Sequence, residues 1–274
     1  MKKYRVGVAG SMGMVGGALQ KYFEKKDFAL EVYDIKGEGS IENINRSDYV
    51  YICVPTPYTD NGCDISAIED VVSQLKPRES YIPDMEDGPD FTGKVIIIKS
   101  TVIPGTTEKL QGKYPQHKFL FNPEFLTEET ADQDMCYPDR QIIGYTEKSY
   151  NVSKDVLAKL PLAPFERIVP AKEAEMAKYY NNCWFATKVI FANQIYDACQ
   201  KAGINYDNVK DMAAADKRIG RTHLDVWHKG FRGYDCKCIP KDISSFISYA
   251  DSLGVELELL KTTRKINDEL LKHE

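Results

Sequence analysis

The sequence predicts an α/β protein: a doubly wound parallel sheet over residues 1–170, then a smaller, mainly helical domain over residues 171–274. Three observations carry that expectation. Short, near-continuously apolar runs alternate with helical patterns in the first part, as they must where strands are buried on both faces. A glycine-rich turn joins the first run to the first helix. From about Lys172 the short runs cease, and one apolar stripe at helical spacing continues to Gly203, a good helix C-cap.

Taken in order, the candidate strands are RVGVAG, FALEVYD, YVYICVP, KVIIIKS, KFLFNP and RQIIGY. Helical stretches such as MVGGALQKYFEKK and DISAIEDVVSQLK lie between them, and this βαβ rhythm argues parallel pairing. The segment from Pro77 to Gly93 is rich in proline and acid and reads as a surface loop. EAEMAKYYNNCWFATKVIFANQIYDACQKAG reads as one long helix, and the remainder as mainly helical. There is no internal repeat and no low-complexity segment.

Composition narrows the function classes. Hydrophobic residues make up 43% and charged residues 28%, ordinary for a globular protein, and the net charge is −5. That balance does not suggest a nucleic-acid or membrane-surface role. No apolar run approaches the ~20 residues of a membrane span. MKKYRVGVAGSMG runs straight into the glycine turn, so it reads as a first strand and not a signal peptide. The seven cysteines are odd in number and scattered, which favours a reduced, cytoplasmic protein. The four histidines (117, 223, 228 and 273) are dispersed, and no metal-ligand spacing is present, so no metal is expected.

The glycine turn is the first candidate site. Gly10, Gly13 and Gly16 are spaced G-x-x-G-x-x-G, one residue longer than the usual G-x-G-x-x-G, with Met14 and Val15 opening the helix. Glycine permits the tight turn and lets backbone N–H groups approach a pyrophosphate at a helix N-terminus. Asp34 ends the next strand about twenty residues on, where an acid binds the adenosine ribose hydroxyls and disfavours a 2′-phosphate. A Rossmann-like fold binding NAD rather than NADP is the resulting expectation.

Ligands of such sheets bind beyond the C-terminal strand ends. Val54, Pro55 and Thr56 form one such tip, and Ser100 and Thr101 another. At the third, Asn122 reads as a helix cap and Pro123 as the first helical position, which puts Glu124 and Glu128 one turn apart on one face. The bland alternative is a pair of dipole-compensating acids. In the long helix Lys178 and Asn182 are spaced i, i+4; they either hold a hydroxyl or oxyanion or form an ordinary solvated face. In FRGYDCKCIPKD, Cys236 and Cys238 stand just before a helix N-terminus and Lys241, features that favour a thiolate.

Together, ICVPTP, IKSTVIPGTT, NPEFLTEETADQD with PDR, AKYYNNCWFATKVIFANQ, DKRIG and CIPKD resemble the signatures of the UDP-glucose/GDP-mannose 6-dehydrogenase family, in family order and over essentially the whole chain. The resemblance implies oxidation of the 6-hydroxymethyl of a nucleotide sugar to a carboxylate with two NAD, UDP-glucose to UDP-glucuronate being the leading case. It implies that Cys238 is the nucleophile, passing through a thiohemiacetal and a thioester. Lys178, Asn182 and a water held by Asp242 would manage the proton and the oxyanion, and Glu124 would activate the hydrolytic water. Thr101 and Glu128 would lie beside the cofactor and that water, and Lys241 near the nicotinamide. Phe125, Leu126 and Thr127 would line the sugar side, as would the loop at Gly233 and Tyr234. The long helix would form a homodimer interface.

Three departures qualify the resemblance. The glycine turn has its extra residue. Asp235-Cys236-Lys237-Cys238 stands where the family reads G-G-S-C, which bears on sugar specificity. Cys236 is then either a partner in an oxidised off state or, as the strain of so close a pair favours, a spectator. The family continues into a further α/β domain holding the nucleotide base, a stretch not found in this chain. The alternatives are a GDP-mannose or UDP-N-acetyl-hexosamine 6-dehydrogenase, a two-electron hydroxyacid dehydrogenase, and a non-catalytic NAD-binding protein.

Overall fold

The computed structural model describes residues 4–26, 28–60, 62–77, 93–236 and 238–272. The expected loop from Pro77 to Gly93 lies outside the described residues apart from its two ends. The elements run Arg5–Ala9 (β1), Met14–Glu24 (α1), Ala29–Asp34 (β2), Glu38–Gly39 (β3), Ile41–Ile44 (α2) and Tyr49–Ile52 (β4). Next come Tyr58–Thr59 (β5), Gly62–Cys63 (β6), Ser66–Ser73 (α3), Val95–Ile98 (β7), Thr106–Lys113 (α4), Lys118–Phe121 (β8) and Ala131–Cys136 (α5). Arg140–Tyr145 (β9), Ser153–Lys159 (α6) and Phe165–Pro170 (β10) lead into Ala171–Ala202 (α7). The chain closes with Tyr206–Ala214 (α8), Trp227–His228 (β11), Phe231–Arg232 (β12), Ile239–Ser252 (α9) and Glu258–Lys272 (α10).

By its contacts the chain divides into two units: Met1–Pro57 with Cys63–Lys178, and Tyr58–Gly62 with Tyr179–Glu274. The division falls inside α7.

The first unit is built on one eight-stranded sheet, in the order β10-β9-β8-β7-β4-β1-β2-β3. The pairs β1–β2, β1–β4, β4–β7, β7–β8 and β9–β10 are parallel. YVYI, VIII and KFLF form its centre, and all their residues are buried. β-branched and aromatic side chains suit a surface covered on both sides. Alternate residues feed two cores. Val8, Tyr51, Ile97 and Leu120 pack with Leu19 and Phe23 of α1. Val50, Ile96 and Phe119 pack on the other face with Val71 and Val72 of α3 and Leu110 of α4.

The sheet departs from the all-parallel expectation at two places. β8–β9 and β2–β3 are antiparallel. Neither β3 nor β10 reads as a strand in the sequence, because one has only two residues and the other alternates exposed and half-buried positions at a sheet edge.

The second unit has its core on α7, α9 and α10, where Ala186, Val189, Ile190, Tyr234, Ile243 and Ile247 are buried together. Pro240 stands in the first turn of α9, where its missing N–H costs nothing. Gly203, just past α7, takes φ 67°, as the C-cap reading requires. Among the described residues no helix is long and apolar enough to cross a membrane.

Candidate functional site

The glycine turn is dictated by sterics. Gly10 has φ 86°, and a Cβ there would lie 2.6 Å from the Cys53 carbonyl oxygen. A Cβ on Gly16 would lie 2.0 Å from the Gly10 oxygen. Gly13 caps α1 with extended backbone and no side-chain hydrogen bond, so the first N–H groups of the helix, at Met14 and Val15, stay open to an anion. A Cβ at Gly10 or Gly16 would strike neighbouring backbone, so only glycine keeps the turn this tight, and the open N–H groups of the helix start suit a dinucleotide pyrophosphate. Asp34 is drawn onto it: its Oδ2 accepts from Met12 N at 3.1 Å and its Oδ1 from Lys36 N at 2.9 Å. A cleft of about 580 Å³ runs along the turn, closed on its far side by Glu128 to Gln133. Lys21 of α1 and Asp132 of α5 pair across it at 2.6 Å.

The strand tips are stapled to one another. Thr56 Oγ1 donates to the Thr101 carbonyl at 2.7 Å, and Ser100 Oγ donates to the Val54 carbonyl at 2.6 Å, while Pro55 between them is exposed. The expected helix from Asn122 is absent. Residues 122–127 form no regular element, a turn follows, and α5 starts only at Ala131. Asn122 is fully buried and does not cap. Its Oδ1 accepts from Lys99 Nζ at 2.7 Å, and its Nδ2 donates to the Ile142 carbonyl at 2.8 Å. Bonding a buried lysine and the neighbouring strand outweighs a local cap, since unmatched polar groups there are costly.

Glu124 and Glu128 therefore do not share a helical face. Glu128 is exposed at the cleft beside the glycine turn. Glu124 is buried, and Lys178 Nζ donates both to its Oε1 and to its own carbonyl, each at 2.8 Å. Leu126 N donates to Oε2 at 2.8 Å. Burial pushes this carboxyl up, but the Lys178 charge and hydrogen bond, Leu126 N–H and Lys99 outweigh it and hold Glu124 below the usual range. Burial depresses the Lys99 ammonium. Phe125 lies under the Arg140 guanidinium, 3.6 Å from its ring centre, and Thr127 N is held by Asp134 at 2.8 Å.

The second unit carries its own cluster. Asp242 is fully buried in the first turn of α9, where it accepts from Asn182 Nδ2 at 2.5 Å and from Lys241 Nζ at 2.5 Å. Cys238 is the N-cap of α9, and its carbonyl accepts the Asp242 N–H at 2.9 Å. Cys236 is exposed, and its Sγ accepts from Ile239 N at 3.5 Å. Gly233 has φ 82°, and a Cβ there would lie 2.5 Å from Asn267 Oδ1. Asn267 grips the next residue at both ends, accepting from Tyr234 N at 2.7 Å and donating to the Tyr234 carbonyl at 3.0 Å.

Several of these partners escape sequence reading. Lys99, Asn267 and Cys183, a buried thiol beside Asp242, act through long-range contacts that leave no local signal. Glu38, whose Oε2 accepts from Ser11 Oγ at 2.5 Å, had one: an acid four positions past Asp34 across Gly37.

Comparison with known proteins follows the same division. Residues 5–160 match the NAD binding domain of the UDP-glucose/GDP-mannose dehydrogenase family, and residues 172–269 match its central domain. The chain belongs to the UDP-glucose/GDP-mannose dehydrogenase family. UDP-glucose 6-dehydrogenase YwqF of Bacillus subtilis (strain 168) is 29% identical over 236 residues, covering 83% of this chain and 50% of that protein. GDP-mannose 6-dehydrogenase of Pseudomonas savastanoi pv. phaseolicola is 33% identical over 240 residues, covering 82% and 52%. This family member thus spans about half the length of the curated relatives it matches. A UDP-glucose dehydrogenase from Pyrobaculum islandicum shares the fold, with a TM-score of 0.82 at 24% identity over 98% of this chain and 68% of that one. The cofactor named by the N-terminal match is NAD, in keeping with the glycine cradle and Asp34.

Proposed function

We propose that the chain carries the catalytic residues of an NAD-dependent nucleotide-sugar 6-dehydrogenase that oxidises UDP-glucose to UDP-glucuronate in two steps. Bound NAD would supply the hydride acceptor for each oxidation, held by the α1 N-terminus, Asp34, Val54 to Thr56, Thr101 and Glu128. Lys178 and Asn182 donate to the 6-oxygen of the sugar, and Asp242 accepts the hydroxyl proton through a water. Cys238 Sγ adds to the aldehyde carbon to give a thiohemiacetal, and oxidation of that adduct leaves a thioester. Glu124, ionised at neutral pH, takes a proton from the water that hydrolyses the thioester and frees Cys238. Phe125 to Thr127 and the loop at Gly233 and Tyr234 line the sugar side, with Lys241 toward the nicotinamide.

The observation that carries this reading is Cys238 at the N-cap of α9 with buried Asp242 one turn on, held by Asn182 and Lys241. A helix N-terminus favours the thiolate. The test is NADH formed per UDP-glucose consumed. Two per sugar are expected, with turnover abolished or stalled in Cys238→Ser; one per sugar, surviving that substitution, would defeat the thioester route.

A second substrate has specific support. The GDP-mannose 6-dehydrogenase relative is 33% identical, and Asp235 and Cys236 replace glycines in the substrate loop. GDP-mannose therefore belongs beside UDP-glucose in the assay, with a UDP-N-acetyl-hexosamine as third substrate. The same reading makes the protein a homodimer through α7, whose Tyr180, Trp184 and Phe191 are 74%, 54% and 62% exposed. It places the protein in the cytoplasm, where thiols stay reduced.

A further inference from the structure

The β2–β3 hairpin brings a second carboxylate to the glycine turn. Asp34 and Glu38 face each other in antiparallel register, across a loop turned by Gly37 at φ 104°. Residues paired in this way share one side of the sheet. Both carboxylates then reach consecutive residues of the same turn: Glu38 Oε2 accepts from Ser11 Oγ at 2.5 Å, and Asp34 Oδ2 accepts from Met12 N at 3.1 Å. The return strand lies flush against β2, since a Cβ on Gly39 would meet the Val32 carbonyl oxygen at 1.8 Å.

We propose that Glu38 is a specificity determinant of the cofactor pocket, rejecting a 2′-phosphate on the adenosine ribose and so reserving the pocket for NAD over NADP. The proposal rests on the NAD-binding reading of the first unit. In these folds the acid ending the second strand binds the ribose 2′-hydroxyl. A phosphate on that oxygen carries close to two negative charges and would lie beside both carboxylates. Lys36 at the hairpin tip is the opposing charge, but Asp34 and Glu38 outnumber it. An enzyme relying on Asp34 alone could admit NADP by turning that one side chain toward Lys36; the second negative charge that Glu38 brings to the same turn closes that route.

The test is titration of the full chain with NADH and with NADPH at low ionic strength, followed by nicotinamide fluorescence. Wild type is expected to bind NADH roughly 100-fold tighter than NADPH. Glu38→Gln should narrow that ratio about tenfold, by tightening NADPH while leaving NADH within about threefold. Glu38→Lys should narrow it further. Ser11→Ala keeps the charge and removes only the hydrogen bond, so it should keep the wild-type ratio. An unchanged ratio in both Glu38 variants overturns the proposal. So does equal weakening of both dinucleotides in Glu38→Gln and Ser11→Ala, which would make Glu38 a prop of the turn. A wild-type chain binding neither dinucleotide would sink the NAD-binding reading itself, and the role of Glu38 with it.

Discussion

The ammonium of Lys178 lies 2.8 Å from the Glu124 carboxylate and 2.8 Å from the Glu124 carbonyl, with both side chains over nine-tenths buried. One lysine thus fixes both ends of the same residue, and the irregular segment after Asn122 is pinned by it. A buried pair of this kind contributes little net stability, yet removing one partner strands the other charge.

Lys178→Met is therefore expected to destabilise the fold by about 3 kcal/mol, and Glu124→Gln in the same background to recover much of the loss. Urea denaturation at pH 7 of the two single variants and the double variant checks this. Equal, additive losses would mean that the pair is not coupled.

Two helix substitutions separate steric need from helix propensity. Gly16→Ala places a methyl 2.0 Å from the Gly10 oxygen and should weaken NADH binding by more than about tenfold. Gly112→Ala in α4 meets nothing within 4 Å and should stabilise the fold by ~0.5–1 kcal/mol. Fluorescence titration and thermal melting read the two outcomes.

Glu175 and His117 titrate with opposite consequences. Glu175 is fully buried in α7 and accepts from Gly105 N, Thr107 N and Thr107 Oγ1 at 2.6, 2.9 and 2.6 Å; burial nonetheless pushes it up to about 7 against those hydrogen bonds. Its folded value exceeds its unfolded 4.5, so its contribution is complete below 4.5 and is lost as pH rises through 7. Burial, helped by the Lys94 charge, lowers His117 to about 4 from 6.5, so its contribution is complete above 6.5 and is lost as pH falls through 4. The two windows overlap, and each amounts to about 3 kcal/mol. The contributions of these two groups should therefore nearly cancel between about pH 5 and 6.5. Glu175→Gln removes one slope, so the stability of wild type relative to the variant should fall by about 3 kcal/mol from pH 5 to pH 8. Denaturant midpoints across that range decide; a constant difference would refute the assignment.

Thiol labelling should follow burial. Burial, reinforced by Asp242, pushes Cys183 up to about 12, and burial pushes Cys53 up to about 12 against the pull of Lys99. Exposed Cys236 should react with iodoacetamide at pH 8 at least ~100-fold faster than either. Peptide mass spectrometry over time measures the order.

Much of the fold was legible because it rests on local chemistry. β1, β4, β7 and β8 announce themselves as apolar runs, since a strand covered on both faces has no polar side to show. The glycine turn and Asp34 were readable for a similar reason: Gly10 takes φ 86°, and a Cβ on Gly16 would strike the nearby Gly10 oxygen, both local demands of the turn itself. β10 and β3 escaped because edge strands need no apolar run.

Asn122 marks the boundary between the two kinds of information. By itself the sequence determined the order of elements, the cofactor turn, the long helix and the residue types suited to nucleophile, acid and base. Only the tertiary structure decided that Asn122 serves Lys99 and Ile142 instead of a helix, that Glu124 is bound to Lys178, and that Asp242 is shared by Asn182 and Lys241. Propensity, capping and spacing act over a few residues and leave their mark in the chain. The partner of a buried charge is chosen by desolvation, which acts only after distant segments have packed together.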